Sequence, residues 1–389
     1  MPPAGPRAVA CRIDRRKPPN DRVSNPDETV LVFQGGGALG AYQAGVYEGL
    51  AEAGIVPTWL AGVSIGAVNA ALIAGNPPER RLARLEQFWE RVSSRMPLAS
   101  PVLFDPVRAT LNVMSATTTA LFGAPGFFVP RRPPPVFGPD GASAILSVYD
   151  TTPFRESLEE LVDFDLVNSA DSVRLSVGAV NVRSGTSIYF DNRERALRPE
   201  HVLASGSLPP GFPPTEIDGE HYWDGGLVSN SPLSYVFDAA PLLRALIVQV
   251  DLFSAAGALP ATLDQVLERA KDIQYASKTR LTTAQVRELE ELRHALARLM
   301  DKVPEELRDD PDYRALARLA GHRRSITIAH LTSRRLPNST STKDFEFSRA
   351  TVHQLWDAGL EDARRANASR AWLEGREIAK GVRLIELSR

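Results

Sequence analysis

The sequence lacks several things, and each absence removes a class of function. Cys11 is the only cysteine in 389 residues, so neither a disulfide scaffold nor a cysteine metal site can be built. Nothing in cysteine usage demands an oxidising compartment. No uninterrupted apolar run approaches the ~18 residues needed to cross a bilayer. There is no basic excess: 45 Lys and Arg face 47 Asp and Glu, for a formal net charge of −2. With no basic stripe carrying interleaved aromatics, a nucleic-acid partner is not expected. The stretch from Met1 to Glu28 is rich in Pro and Arg and has no apolar centre, so it is not expected to act as a secretory signal. It is expected to be a disordered leader over 1–27, with a weak basic membrane tether as the alternative. The six histidines, His201, His221, His294, His322, His330 and His353, have no motif around them and are expected to be structural or on the surface. No ligand cluster suggests a metal or other cofactor.

What is present fits a globular chain of one large or two ordinary domains, with 43% hydrophobic and 24% charged residues. Its most informative stretch is Trp59 to Asn69, WLAGVSIGAVN. It has the pattern of a strand, a tight turn at Ser64 and the start of a helix. Gly62 and Gly66 flank the serine as G-x-S-x-G, the pattern of a nucleophile elbow. The turn requires small flanks because the following helix packs close to the incoming strand. The serine would stand at a helix N-terminus, where N–H groups favour negative charge. The motif alone arises by chance in roughly one chain in ten of this length, so its surroundings matter.

Upstream, the apolar run Thr29 to Phe33 predicts a buried strand. It enters Gln34-Gly35-Gly36-Gly37-Ala38-Leu39-Gly40, and a helix is expected from Ala41 to Ala53, closed by Gly54. Successive glycines leave backbone N–H groups unobstructed, and the helix behind adds its dipole. Such donors stabilise the oxyanion formed when a hydroxyl attacks an ester carbonyl, commonly by ~3 kcal/mol each. In a parallel β-α-β unit this loop and Ser64 share one sheet edge. The same glycines also satisfy the dinucleotide fingerprint at Gly35, Gly37 and Gly40, which would make the chain an oxidoreductase. That reading needs an acidic residue at the end of the second strand, where Ser64 stands instead. Glu52, near the right distance, falls inside the first helix.

Downstream, Ile65 to Ala74 predicts a small, buried helix, and Glu79 to Val92 a polar-faced one. From Arg95 to Tyr149 prolines recur and apolar aromatics cluster at Leu121-Phe122 and Phe127-Phe128. This stretch is either a cap recognising an apolar chain or a surface insertion. Two strands joined at Ser184-Gly185 are expected between Val173 and Phe190. Asp224-Gly225-Gly226 follows a short helix and a Pro-rich loop; alone, it would be an ordinary turn. Asn230-Ser231-Pro232 opens a further helix, and Ala245 to Val250 predicts another buried strand. In the last third, Ala261 to Lys302 predicts an amphipathic helix or hairpin against the main domain, with a dimerising coiled coil as the alternative. Ser325 to Leu331 has the pattern of one more strand, and Arg349 to Asn367 of a helix.

Taken together and in this order, the glycine loop, the G-x-S-x-G elbow and the D-G-G motif resemble the patatin-like phospholipase family, over roughly Glu28 to Asp251. Ala204-Ser205, Pro209-Pro210 and Asn230-Ser231-Pro232 are similar to it too. One departure is Leu39, which stands where many members carry Arg or Lys; this weakens a phosphate-bearing substrate more than an ester. The resemblance implies an α/β fold, a mostly parallel central sheet flanked by helices in three layers (α/β/α), with a catalytic domain over 28–251 and a mainly helical C-terminal region over 252–389 packed on it. It implies a serine acyl hydrolase acting on carboxylic esters of lipids with no cofactor. Ser64 would be the nucleophile and Asp224 the base. Gly35, Gly36 and Gly37 would form the oxyanion hole, supported by Gly40, Gly62, Ile65, Gly66, Gly225 and Gly226. A catalytic histidine is not implied. That separates the chain from α/β-hydrolases, which order their triad Ser, Asp, His, and from acyl-carrier transacylases, which often place His where Val63 stands. An acyltransferase using the same dyad stays open, as does a non-catalytic lipid-binding module. The expected partner is a lipid or acyl-ester substrate, met in the cytoplasm or at a membrane surface; assembly into an oligomer is left open.

Overall fold

The strands at the centre of the sheet alternate their side chains between two apolar clusters, which is the pattern of a sheet covered on both faces. A computed structural model describes residues 28–94, 105–132, 147–239, 244–320, 325–337, 339–369, 372 and 382–387. The expected leader and parts of the Pro-rich stretch (95–104 and 133–146) lie outside the described residues.

In chain order, the strand β1 (Glu28–Phe33) leads through the glycine loop into the helix α1 (Ala41–Glu52), followed by β2 (Trp59–Val63), α2 (Ile65–Ala74) and α3 (Arg81–Val92). Next come α4 (Asp105–Phe122), β3 (Val129–Pro130), β4 (Tyr149–Asp150), α5 (Thr152–Leu161), α6 (Phe164–Val167), β5 (Arg174–Asn181) and β6 (Ser187–Asp191). Then α7 (Pro199–Gly206), β7 (Thr215–Ile217), β8 (Glu220–Asp224), α8 (Leu233–Ala239) and β9 (Arg244–Asp251) complete the first two-thirds. The last third holds α9 (Leu263–Met300), α10 (Pro311–Ala320), β10 (Ser325–Thr332), α11 (Arg349–Ser369) and β11 (Val382–Glu386).

Among the described residues the main sheet has nine strands in the order β11-β10-β9-β1-β2-β5-β8-β7, with β6 also paired to β5. From β11 to β5 the pairings are parallel; β6, β8 and β7 are antiparallel additions. Leu31, Phe33 and Leu60 face the larger cluster, with α1, α2 and α3. Val30, Val32, Trp59 and Ala61 face the other, under Leu233, Val236 and Phe237 of α8. These layers match the expected α/β/α class, and the hairpin expected at Ser184-Gly185 is present, with Gly185 at φ 68.

The expected division at residue 251 does not divide the sheet. β10 pairs along its whole length with β9, and β11 pairs with β10, so the last third contributes two strands to the same sheet. α11 also packs on α1 so closely that a Cβ at Gly45 or at Gly359 would collide with the facing backbone. Tyr42 Oη donates to Asp362 at 2.9 Å across that contact. The stretch expected as a helix or hairpin is one helix of 38 residues, α9.

Candidate active site

Strand register explains how residues 160 positions apart meet. β5 pairs on one edge with β6, from Ser176 to Val180. Its other edge is shared. β2 occupies it from Arg174 to Gly178, and β8 from Ala179 to Asn181, running the opposite way. Val63 is opposite Gly178 and Asp224 is opposite Ala179. The two strands therefore point at each other head-on along one edge of β5. Ser64 and Asp224 stand in the gap between them.

Ser64 has φ 55 and ψ −129, a left-handed conformation that costs a non-glycine residue energy and is tolerated where the surroundings over-determine it. Those surroundings are visible. A Cβ at Gly62 would collide with the backbone of Gly66, and one at Gly66 would lie 2.5 Å from the Phe33 carbonyl oxygen. The Ser64 N–H donates to Ser205 Oγ at 2.9 Å, and Ser205 Oγ donates to the Gly178 carbonyl at 2.6 Å. One side chain from α7 thus ties the turn to the point on β5 where the two strands meet. Ile65 then begins α2, which is buried along its entire length.

Asp224 is 2% exposed. Burial pushes its carboxyl up to about 6, against the opposing effects of the neighbouring Ser64 hydroxyl and of the hydrogen bond from the Gly226 N–H. The latter bond measures 2.8 Å. A Cβ at Gly225 would come within 2.8 Å of the Gly178 carbonyl oxygen, so the turn after the carboxylate must be bare to pass β5.

The glycine loop borders the same space. Gly36 is extended and Gly37 is left-handed at φ 57. Among the described residues, no acceptor takes the N–H of Gly36 or of Gly37. Gly35 differs from the expectation. Its N–H donates to the Asn230 carbonyl at 3.2 Å, and its carbonyl accepts from Asn230 Nδ2 at 2.9 Å. Gly35 is therefore engaged in holding the loop, not free to hold an oxyanion. It must also be bare, because its Cβ would lie 2.9 Å from Ser64 Cβ. Gly40 supports from behind: its carbonyl accepts from Asn69 Nδ2 at 2.9 Å, and its Cβ would press on Ile65.

Together these groups line a cavity of about 70 Å3. Its remaining wall is aromatic. Phe127 and Phe128, from the Pro-rich stretch, pack with Phe154, Tyr149 and Phe212 at centroid distances of 4.6 to 6.0 Å. That part of the stretch therefore belongs to the core beside the site. Further lining comes from residues to which the sequence assigned no role: Phe253, Tyr275, Asp344, Phe345 and Phe347, with Phe347 packed on Phe127 at 5.8 Å between ring centroids. Asn230 and Ser205 carried family-like patterns, but only the fold reveals what they hold.

Two histidines are rival candidates for the base, and their surroundings occupy them. His201 Nδ1 accepts the Arg198 N–H at 2.9 Å, and burial pushes its imidazole down to about 4. His330 lies on β10, three strands from β2, or roughly 14 Å away. Its Nε2 meets Asp251 at 2.6 Å and its Nδ1 meets Glu386 at 3.0 Å. Burial opposes its charge, but these two carboxylates outweigh burial and raise it to about 10. The dinucleotide alternative also loses its acidic residue. Glu52 is at the far end of α1, roughly 18 Å along a helix from the glycine loop, where it pairs with Arg364. Among the described residues, no group of three or more His, Cys, Asp or Glu could hold a metal, and no helix is long and apolar enough to cross a membrane.

Comparison with known proteins adds to this geometry. A family model described as patatin-like phospholipase matches residues 31–237, and one described as patatin phospholipase matches residues 273–378. The patatin-like phospholipase domain-containing protein 7 of Mus musculus and that of Rattus norvegicus are each 26% identical over 212 residues. Those matches take in 54% of this chain and only 13% of either relative. Among solved structures, VipD from Legionella pneumophila aligns over 88% of this chain and 67% of its own, at 14% identity and a TM-score of 0.37, too distant to bear on the site. With the first family model covering more than half of its residues, this chain belongs to the patatin-like phospholipase family.

Proposed function

We propose that the protein hydrolyses carboxylic esters of lipid-like acyl chains through an acyl-enzyme on Ser64. Asp224 takes the Ser64 proton as the hydroxyl attacks the carbonyl, and later activates the water that releases the acid. The N–H groups of Gly36 and Gly37 hold the oxyanion, with the N–H of Ile65 as a further donor. Gly35 keeps the loop in place through Asn230. The reading rests chiefly on one observation: a strained serine beside a buried carboxylate, both lining an apolar cavity bordered by unpaired backbone donors.

The cavity also supports a view of the substrate. Asp224 and Asp344 are the charged groups that line it among the described residues, and Leu39 is buried behind the loop. Asp344 is paired with Lys271 from behind at 2.7 Å, so the lining offers the buried Asp224 carboxylate and no cation to an anionic group, and an uncharged ester fits best. Turnover of p-nitrophenyl butyrate tests the assignment. Ser64→Ala and Asp224→Asn should each lower kcat/KM by ~10⁴-fold or more, while His201→Ala and His330→Ala retain most of it. A histidine variant as inactive as Ser64→Ala would overturn the dyad.

A further inference from the structure

We propose that the segment Lys343–Phe347 of the last third is the specificity-determining wall of the ester site, clamped to α9 so that the cavity favours shorter acyl chains over longer ones. The inference rests on the ester-hydrolase reading above and adds a role for residues outside the first family match.

Three observations carry it. Asp344, Phe345 and Phe347 line the same cavity as Ser64 and Asp224, with Phe253 and Tyr275 beside them. The Tyr275 phenol is raised by burial, by Asp344 and by Asp224, so this ring senses both carboxylates across the space. The segment also touches the oxyanion loop itself, because a Cβ at Gly37 would collide with the Asp344 carbonyl oxygen.

The second observation is how the wall is held. Lys271 of α9 donates to Asp344 at 2.7 Å and to the Ser341 carbonyl at 2.8 Å. Lys343 reaches back to Asp272 at 2.5 Å and Glu268 at 3.3 Å. Arg335 adds a bond to Glu268 at 2.7 Å, and Ser341 Oγ donates to Asp264 at 2.5 Å. Four carboxylates and three cations, one turn apart on α9 or on the facing segment, fix the wall from behind. Several of these groups are nearly buried, where such pairs are least screened. A hydrophobic residue could fill the space but would not fix this register.

The third observation is size. A cavity of about 70 Å3 is small beside the ~300–1,000 Å3 of ordinary ligand pockets. Phe345 and Phe347 take up part of the space that a long acyl chain would need.

The test compares kcat/KM for p-nitrophenyl butyrate and p-nitrophenyl octanoate in the full chain, with Ser64→Ala run in parallel. The wild type should prefer butyrate. Phe345→Ala should raise the octanoate-to-butyrate ratio by ~10-fold, the scale of a few methylenes in an apolar pocket, and Phe345→Trp should lower it. A ratio unchanged in both variants, or a wild type that prefers octanoate, overturns the wall while leaving the dyad intact. Turnover that survives Ser64→Ala overturns the reading of the site, and the wall with it.

Discussion

The two sides of the cavity are built on different principles. On the elbow side, backbone geometry dictates residue type. Gly35, Gly62, Gly66 and Gly225 each stand where a Cβ would strike backbone or Ser64 itself, and the serine holds a conformation its neighbours enforce. On the side of the last third, long side chains do the holding: Lys271, Lys343 and Arg335 reach carboxylates on another element, and Phe345 and Phe347 supply the surface. The first kind of construction tolerates almost no substitution. The second can drift in sequence while keeping its function, because any matched set of charges could serve. A family can thus keep its chemistry fixed and vary its substrate.

That contrast can be broken or sharpened by substitution. Between the two walls, Gly37→Ala should show the larger effect on turnover. It places a Cβ on a left-handed residue, costing ~1–2 kcal/mol, and drives it into the Asp344 carbonyl, displacing one oxyanion donor. Loss of such a donor lowers kcat by ~10²–10³-fold, and steady-state kinetics on the butyrate ester should show it in kcat more than in KM. A Gly37→Ala enzyme with wild-type kcat would mean that the loop is not where the oxyanion forms. Lys343→Met should act differently. Lys343 and Asp272 are 11% and 8% exposed, so removing the cation strands a buried carboxylate at a cost of ~3 kcal/mol. Denaturant unfolding should report that loss, while turnover of the short ester falls much less than in Gly37→Ala. Equal losses of turnover in the two variants would erase the distinction between the two walls.

How much was legible in the sequence follows the same division. The elbow, the glycine loop and the Asp-Gly-Gly turn could be picked out because sterics leave few residue types able to fill them. The parallel strands β1, β2, β5, β9 and β10 were legible from their apolar runs, whereas β11 was not. What sequence could not give is the head-on meeting of β2 and β8 along β5, because register depends on pairing across the whole sheet. Gly35 was placed among the oxyanion donors, since nothing local reveals that Asn230, 195 residues away, engages its N–H. The strand pattern of Ser325 to Leu331 was legible too, but not which strand it would join; pairing places it directly beside β9. The aromatic wall was hidden because Phe253, Tyr275 and Phe345 are scattered, and only the clamp behind them brings them together.

The central claim is that the buried Asp224, with no histidine, activates Ser64. Its most direct measurement is the pH dependence of the rate at which a fluorophosphonate labels the protein, with the labelled residue identified by peptide mass. A base must be ionised, and burial raises Asp224 to about 6, so the rate should climb with a single ionisation near that pH and then level off. The label should be on Ser64, and labelling should all but vanish in Asp224→Asn. Labelling at another residue, or an Asp224→Asn protein labelled at the wild-type rate, would contradict the account.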